Sequence, residues 1–166
     1  PDPVLQQIED FGDGTISVVL AHELGRAATS AALEPAEVFA AVSAVHRRIE
    51  GSYAVVALIA GHGLLAFRDP FGIRPLAFGR GRGDADGDVM VASESAAIEG
   101  TGRQVVRDVA PGEPVFVELQ GQIHTQLCAP QASLNPCIFE FVYLARPDSV
   151  MDGISVYQAR LNLGEA

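Results

Sequence analysis

Apolar residues recur at helical spacing in the first third of this chain. The positions that mark one face of a helix are Val38, Phe39, Val42, Val45 and Ile49. Their three- and four-residue steps predict a helix over Glu34–Ile49, with Pro35 in its first turn and Gly51 beyond its end. The shorter apolar run Ile16–Arg26 is predicted to be helical as well.

Short apolar runs bounded by turn residues fill the middle of the chain, and their length is that of β-strands. The predicted strands are Ser52–Ala60, Leu64–Arg68, Pro75–Gly79, Asp88–Ser93, Pro114–Leu119 and Gln122–Leu127. The last two are predicted to form a hairpin that turns at Gln120 and Gly121. Because Ser52–Ile59 is apolar on both faces, we expect that strand to be covered on both sides. A second helical pattern closes the chain, so the elements together indicate an α+β fold.

The composition is that of a folded, acidic domain. The chain has 166 residues, of which 48% are hydrophobic, and a formal net charge of −10. This length suffices for one domain with a core, and the negative charge argues against nucleic-acid binding. No apolar run approaches the roughly 18 residues of a membrane span, so no membrane partner is expected. The two cysteines do not make a disulfide framework, which predicts a reducing, cytoplasmic setting.

The stretch 67–80, with the sequence F-R-D-P-F-G-I-R-P-L-A-F-G-R, joins two predicted strands through a turn rich in proline and glycine. Gly72 can take the positive φ angle that a tight reversal needs. The same turn carries neighbouring charges on Arg68, Asp69 and Arg74. Charged groups at a corner usually bond nearby backbone. These four residues are therefore predicted to form a charged hairpin corner with a structural role.

Four further motifs follow this corner in order along the chain. They are V-A-S-E-S at 91–95, R-D-V-A-P-G-E at 107–113, N-P-C-I-F-E-F-V-Y-L-A-R-P-D-S at 135–149 and I-S-V-Y-Q-A-R-L-N-L-G at 154–164. Together with R-D-P-F-G-I-R-P-L they resemble the glutaminase domain of the amidophosphoribosyltransferase family. The resemblance runs from about Leu20 to the end of the chain.

The resemblance implies a fold, an activity and a division of the chain. The fold is part of the four-layer αββα sandwich of the N-terminal-nucleophile hydrolases. Residues 1–15 are an atypical start, 16–145 the later part of the glutaminase domain, and 146–166 the linker and entry to the phosphoribosyltransferase domain. The parent enzyme transfers ammonia from glutamine to phosphoribosyl pyrophosphate and forms 5-phosphoribosylamine for purine biosynthesis. A homo-oligomer is expected, and Mg²⁺ belongs to the transferase domain outside this chain.

The residues that perform this chemistry in the family are not recognised in the sequence. The family's nucleophile is an N-terminal cysteine, whereas residue 1 is Pro1, and the glutamine-binding segments are not found. No catalytic residue is therefore assigned, and the chain by itself is expected to be inactive. Tyr157 matches a tyrosine at the interface that ammonia crosses between the two sites of the family. An ordinary tyrosine on an amphipathic helix is an equally weighted alternative.

Two other interpretations of the chain remain open. Asparagine synthetase has a similar R-D-x-x-G-x-x-P-L corner in its glutaminase domain, and glucosamine-6-phosphate synthase has a more distant one. R-D-V-A-P-G-E and A-R-P-D-S favour the purine enzyme over both. From a different class, the chain is compatible with a non-catalytic relic or partner-binding module that has kept the scaffold.

The cysteines are predicted to be structural. Cys128 lies four residues after His124, which on a strand places both on one face, but a buried, hydrophobic thiol is the favoured interpretation. In one branch of the family a cysteine matching Cys137 helps to hold a 4Fe–4S cluster, which needs four thiolates. A plain buried thiol is favoured here as well.

The remaining polar candidates are also predicted to be structural. The four histidines, which show no metal-ligand spacing, are expected at the surface or in caps; they are His22, His46, His62 and His124. A serine of Ser93–Ser95 is expected to cap the short helix that follows.

Overall fold

The structure is a computed structural model that describes residues 16–28, 33–81 and 88–165. Its helices are α1 (Ile16–Ala27), α2 (Pro35–Arg48), α3 (Ser95–Glu99) and α4 (Val156–Glu165), with a π-helical turn at Glu140–Leu144. Its strands are β1 (Ala54–Ile59), β2 (Gly63–Arg68), β3 (Ala77–Arg80), β4 (Val89–Ala92), β5 (Gln104–Asp108), β6 (Pro114–Glu118), β7 (Ile123–Thr125), β8 (Val150–Met151) and β9 (Ile154–Ser155). The predicted atypical start, 1–15, lies outside the described residues.

Within the described residues the strands form two antiparallel sheets and a short hairpin. The first sheet has the order β1-β2-β6-β7 and the second has the order β4-β3-β5, while β8 pairs with β9. In the first sheet Leu65 lies opposite Ala57 on one side and Phe116 on the other, so β2 is a central strand. Because side chains alternate along a strand, Leu65 and Ala66 face opposite sides of this sheet.

Two cores follow from this alternation. On one face of the first sheet, Leu65, Phe67 and Phe116 pack against the apolar stripe of α2. On the other face, Ala66, Val115 and Val117 pack against the second sheet; its contacting residues are Leu76, Phe78 and Val109. The described residues are thus layered as helices, sheet and sheet.

The short helix α3 lies against the outer face of the second sheet. A Cβ added to Gly79 of β3 would lie 2.3 Å from Cγ2 of Ile98, which is fully buried. Glycine at this position therefore lets the helix approach the strand closely.

Most predicted elements are confirmed. Helices α1 and α2 occupy the predicted segments, and α2 begins with a capping box in which the Glu34 N–H donates to Glu37 Oε2 at 2.9 Å. The predicted hairpin of Pro114–Leu119 and Gln122–Leu127 is present as β6 and β7. Strand β5 was not predicted, because its segment Gln104–Asp108, Q-V-V-R-D, has two adjacent apolar residues between polar ones and so shows neither alternation nor an apolar run.

The prediction of a hairpin corner at 67–80 is wrong. Strand β2 belongs to the first sheet and β3 to the second, so the turn carries the chain from one sheet to the other. A hairpin is not possible there, because both edges of β2 are already occupied by β1 and β6.

The prediction that Ser52–Ile59 is covered on both faces is also wrong for the described residues. Val55, Ala57 and Ile59 pack on the helical side, but Val56 and Leu58 are 52% and 77% exposed. The reason is that the second sheet has three strands and packs over β2 and β6 rather than β1. Strand β1 is also an edge of its sheet among the described residues.

The end of the described chain forms a small unit of its own. The π-helical turn, the β8–β9 hairpin and α4 share a cluster of four buried residues, Phe141, Ala145, Met151 and Val156. The rest of α4 is largely exposed, and Val156 is its buried residue. No helix in the described ranges is long and apolar enough to cross a membrane.

The exposed edge of β1 predicts self-association that strengthens with salt. Flat, apolar edges recruit other strands, and the net charge of −10 opposes this. Raising salt from about 0.01 M to 1 M shortens the screening length from about 30 Å to 3 Å and removes that opposition. Light scattering across this salt series should show growing particle mass for the chain. Leu58→Lys should suppress the growth.

Leu119→Lys is the matched control, because Leu119 is 63% exposed but lies beyond the end of β6. It adds the same charge away from the β1 edge and should associate as the unmodified chain does. A chain that stays monomeric at high salt would show that the β1 edge is not adhesive.

Candidate functional site

The side chain of Asp69 organises the turn between the two sheets. Asp69 has no exposed surface. Its Oδ1 accepts the N–H groups of Phe71 at 3.0 Å and Ile73 at 3.1 Å. Its Oδ2 accepts those of Arg74 at 3.1 Å and Tyr53 at 3.3 Å. The carboxylate therefore satisfies three backbone donors of the turn, and a fourth at Tyr53 before β1, that would otherwise lack partners.

The backbone of Asp69 joins the same turn to neighbouring segments. Its N–H donates to the Tyr53 carbonyl at 2.8 Å, and its carbonyl accepts from Gly72 at 3.0 Å and Gly112 at 3.1 Å. Gly72 has a φ of +58°, as predicted. A Cβ at Gly72 would also lie 2.8 Å from Nη2 of Arg68, so a side chain there meets both strain and a clash.

Arg68 pairs with a distant residue and not with its neighbour Asp69. Its Nη2 donates to Oδ1 of Asp152 at 2.8 Å, and its Nη1 lies 3.4 Å from Oδ2. The two side chains are 1% and 7% exposed. This pair is a buried, forked ion pair between the end of β2 and the turn of the β8–β9 hairpin.

A second carboxylate, that of Asp108 at the end of β5, lies near this ion pair. Burial raises the pKa of Asp108, and the negative charge of Asp152 adds to the rise, while the charge of Arg68 opposes it. Asp108, Asp152 and Arg68 therefore form one electrostatic group.

Further polar contacts hold the segment after the turn. Nη1 of Arg74 lies 2.7 Å from Oε1 of Glu140, which is 8% exposed. Arg160 of α4 donates to the carbonyls of Phe141 at 2.8 Å and Ala145 at 2.7 Å. These carbonyls lie in and just beyond the π-helical turn, so Arg160 caps it.

The V-A-S-E-S motif also contacts residues that are far away in the sequence. The prediction of a serine cap is wrong. The N-cap residue of α3 is Glu94, and it makes no side-chain cap bond. Its Oε2 accepts the N–H of Arg146 at 2.8 Å and the hydroxyl of Ser149 at 2.7 Å. Ser95 Oγ accepts the N–H of Val150 at 2.8 Å. Both side chains are thus used to fix 146–150 on the body of the fold.

Tyr157 lies in the first turn of α4, directly after the β8–β9 hairpin. Its side chain is 59% exposed, whereas Val156 beside it is fully buried. Tyr157 is one of several exposed apolar side chains in the C-terminal part of the chain; the others include Tyr143, Leu144, Val150, Ile154 and Leu161, each at least 43% exposed. Exposed apolar residues that form a contiguous patch often mark an interaction site.

The thiols show no sign of activation. Cys128 is 7% exposed, and its Sγ lies 3.4 Å from the Phe39 carbonyl. Burial raises the pKa of this thiol, which disfavours the reactive thiolate. His124 lies 2.9 Å from a carboxylate oxygen of Glu118 instead. The prediction of a buried thiol is confirmed for Cys128, but Cys137 is half-buried.

His46 departs from the prediction of a surface or capping histidine. Its ring stacks on Tyr53 at 5.9 Å and meets Phe67 edge-on at 5.7 Å. Its Nδ1 lies 2.7 Å from the Tyr53 hydroxyl. Burial lowers the pKa of His46, and burial together with the charge of Asp69 raises the pKa of Tyr53 to about 12. The histidine is therefore neutral at neutral pH, and its Nδ1 accepts a hydrogen bond from the Tyr53 hydroxyl.

One cavity of about 640 Å³ opens beside this aromatic group. Ser43, His46, Phe71, Ile73 and Cys128 are among the residues that line it. The polar side-chain atoms of Ser43 and Cys128 both donate to the Phe39 carbonyl, at 2.9 Å and 3.4 Å. No chemistry is assigned to the cavity.

Glu113 of the R-D-V-A-P-G-E motif holds the turn between β5 and β6. Both of its carboxylate oxygens lie 2.7 Å from the guanidinium of Arg107, and Oε2 also accepts the Ala110 N–H at 2.8 Å. Arg107 lies over the ring of Phe78 at 5.1 Å. Burial alone would raise the pKa of Glu113, but these bonds outweigh it and lower the pKa. This motif is structural too.

Known sequences match this chain closely over part of their length. It is 53% identical over 149 residues to the amidophosphoribosyltransferase of Pseudomonas aeruginosa, which covers 89% of this chain and 29% of that protein. It is 53% identical over 133 residues to the amidophosphoribosyltransferase of Escherichia coli K12, with coverage of 80% and 26%. No family model matches.

A solved structure agrees with the sequences. Glutamine phosphoribosylpyrophosphate amidotransferase from B. subtilis, in complex with ADP and GMP, superposes with a TM-score of 0.74 at 30% identity. The chain belongs to the amidophosphoribosyltransferase family. The match covers 98% of this chain and 33% of that structure, so the chain spans about a third or less of the relatives it matches.

Within this family assignment, the site is a set of structural anchors. The predicted corner residues Arg68, Asp69, Gly72 and Arg74 do lie together, but their partners Asp152 and Glu140 were not predicted. The D-G pair at 152–153 is a hairpin-turn signal that could have located the turn, but not its contact with Arg68. Among the described residues no group of His, Cys, Asp or Glu could hold a metal ion. None is therefore assigned to the family's Mg²⁺.

Asp69→Asn should destabilise the fold strongly. The amide keeps one acceptor oxygen and turns an NH₂ group toward two of the four donors. Each buried N–H left unsatisfied costs about 1–3 kcal/mol, so we expect a loss of about 2–6 kcal/mol in the free energy of unfolding. Urea unfolding measures this.

Asp148→Asn is the control for this measurement, since Asp148 is exposed and pairs with exposed Arg146. It should leave the free energy of unfolding unchanged. Equal unfolding midpoints for Asp69→Asn and the unmodified chain would contradict the role given to the Asp69 carboxylate.

His46 should make the fold sensitive to mild acid. Its pKa in the folded state lies below the ordinary value of 6.5, so the unfolded chain takes up the proton first as pH falls. Stability that is present above about pH 6.5 is then lost below it. The free energy of unfolding should fall between about pH 7.5 and 5.5, and His46→Gln should flatten that slope.

His22→Gln is the matched control, because the His22 side chain is 55% exposed. It should keep the full pH slope. A His46→Gln variant whose slope equals that of the unmodified chain would assign the acid sensitivity elsewhere.

Proposed function

We propose that the protein carrying this chain is a glutamine-dependent amidophosphoribosyltransferase. In this reaction glutamine is hydrolysed to glutamate and ammonia, and the ammonia displaces pyrophosphate from phosphoribosyl pyrophosphate to form 5-phosphoribosylamine. The observation that carries the proposal is the 53% identity over 149 residues to the Pseudomonas aeruginosa enzyme. Glutamine and phosphoribosyl pyrophosphate are accordingly the proposed substrates.

We also propose that the two sheets are the inner layers of the αββα sandwich of the N-terminal-nucleophile hydrolases. Two face-to-face sheets with α1 and α2 on one outer side support this. The close packing of α3 at Gly79 supports a helical layer on the other side. The exposed edge of β1 is where further strands of the complete protein would pair.

The chain is proposed to divide near residue 145. Residues 16–145 supply the later part of the glutaminase domain, and 146–166 lead into the phosphoribosyltransferase domain. The separate C-terminal cluster, which joins Phe141 and Ala145 to Met151 and Val156, supports a change from the two-sheet body to another unit in this region of the chain. Tyr157 begins the helix beyond this boundary and is proposed to line the interface that ammonia crosses.

In this proposal the 166 residues act as scaffold and connection. The nucleophilic thiolate that attacks the glutamine amide carbon would come from elsewhere in the complete protein, and the raised pKa of the buried Cys128 thiol supports this. Mg²⁺ would be held by the transferase domain. We propose a homo-oligomer in the cytoplasm.

The chain and the complete protein should differ in activity. The 166-residue chain, incubated with glutamine, should release no glutamate above the uncatalysed background. The complete protein should form glutamate and pyrophosphate when both glutamine and phosphoribosyl pyrophosphate are present. Coupled assays for glutamate and pyrophosphate measure both reactions.

Cys128→Ser in the complete protein is the informative control. It should keep the activity, since the buried thiol is not the nucleophile. Glutaminase activity in the chain that disappears with Cys128→Ser would overturn the assignment of no catalytic residue. A complete protein that binds phosphoribosyl pyrophosphate but releases no glutamate would favour a non-catalytic relic.

A further inference from the structure

We propose that the buried ion pair between Arg68 and Asp152 fixes Tyr157 in place and thereby controls the passage of ammonia. Arg68 and Asp152 are positioning residues in this proposal, because neither contacts a substrate. The effect on ammonia passage rests on the proposed function. The ion pair itself, called the latch below, is a property of this chain.

Asp152 lies at the tip of the β8–β9 hairpin. It has a φ of +50°, and the following Gly153 has a φ of +76°. This pair of left-handed residues makes the tight hairpin turn, and Asn is accepted at such a position as readily as Asp. The conformation therefore does not require a carboxylate. What requires the carboxylate is the guanidinium of Arg68, 2.8 Å away.

Arg68 approaches this carboxylate from the core. It has no exposed surface. Its two Nη atoms face the Asp152 carboxylate, and its Nε has no hydrogen-bond partner among the described residues. Gly72 leaves the room that the guanidinium fills, because a Cβ there would lie 2.8 Å from Nη2. Asp108 is the other charged group beside the pair.

A buried ion pair of this kind is better suited to selecting one arrangement than to adding stability. An apolar pair of similar size often stabilises a fold to the same degree as a buried ion pair. A buried charge that loses its oppositely charged partner, in contrast, destabilises the fold strongly. The Arg68 charge therefore permits one position of the hairpin tip relative to β2. Any other position removes the forked contact with Asp152 and leaves Asp108 as the charged group beside the buried guanidinium.

The position of the hairpin also determines where the helix that carries Tyr157 begins. Strand β9 ends at Ser155 and α4 begins at Val156, with no intervening loop. Val156 is the buried residue of α4, and its N–H donates to the Ser149 carbonyl at 3.0 Å. Arg160, one turn further on, donates to the Phe141 and Ala145 carbonyls, so the hairpin and the start of the helix belong to one unit. The contacts of Glu94 and Ser95 hold 146–150, upstream of the hairpin. The Arg68–Asp152 pair is the buried charged contact that joins the tip of this hairpin to β2.

The first test uses the chain itself. The sequence has no tryptophan, so Tyr157→Trp introduces a single emitter that reports on this position. In that background, Asp152→Asn keeps the turn conformation but removes the charge. We expect stronger acrylamide quenching and lower anisotropy of the tryptophan. Asp148→Asn removes an exposed charge four residues upstream and should change neither signal.

The second test uses the complete protein with its native Tyr157. In Asp152→Asn, glutamate release and ammonium-dependent pyrophosphate release should persist. Pyrophosphate formed per glutamate from glutamine should fall by about tenfold, since small misplacements have large kinetic effects. Arg68→Lys keeps a charge without the fork and should give an intermediate ratio.

The outcomes separate the latch from the proposed function. Unchanged quenching in Asp152→Asn would refute the latch whatever the protein catalyses. Quenching that rises while all three activities fall equally would make the pair merely structural. If the complete protein forms no glutamate from glutamine, the proposed function fails, and the quenching measurement still decides whether the latch exists.

Discussion

The carboxylate of Asp69 is the interaction on which the rest of this structure depends. It lies where the chain leaves the first sheet for the second, and it accepts three N–H groups of that turn and the N–H of Tyr53. Without it, the backbone between β2 and β3 would be buried with unmet donors. Because the same residue also bonds the backbone of Tyr53 and Gly112, it joins the start of β1 and the loop before β6 to this crossing.

Charge in this fold is used mainly to connect segments that are far apart in sequence. Arg68 reaches Asp152, Arg74 reaches Glu140, and Glu94 reaches 146–150. Each contact joins the two-sheet body to the C-terminal unit, and the side chains of Asp152 and Glu140 are only 7% and 8% exposed. Such pairs add specificity of arrangement more than stability. Although the chain is acidic overall, these charged residues each have a specific partner in the fold.

The exposed apolar residues fall into two groups with different meanings. Val56 and Leu58 lie on β1, at an edge of the first sheet, and indicate strand addition. The group around Tyr143 and Tyr157 lies on the C-terminal unit and indicates packing against another folded unit. A chain that spans about a third or less of its relatives is expected to carry such surfaces.

The sequence by itself determined the helices α1 and α2, most strands and the family. These follow from local signals: apolar periodicity, the Pro35 start and the ordered motifs. Only the tertiary structure decided which charges meet, because Arg68 and Asp152 are 84 residues apart, and no local pattern encodes such a contact. It also decided that the 67–80 turn crosses between sheets, that His46 is an aromatic-cluster residue and that β1 is uncovered. Each of these depends on which strands pair, and pairing is a property of the whole fold.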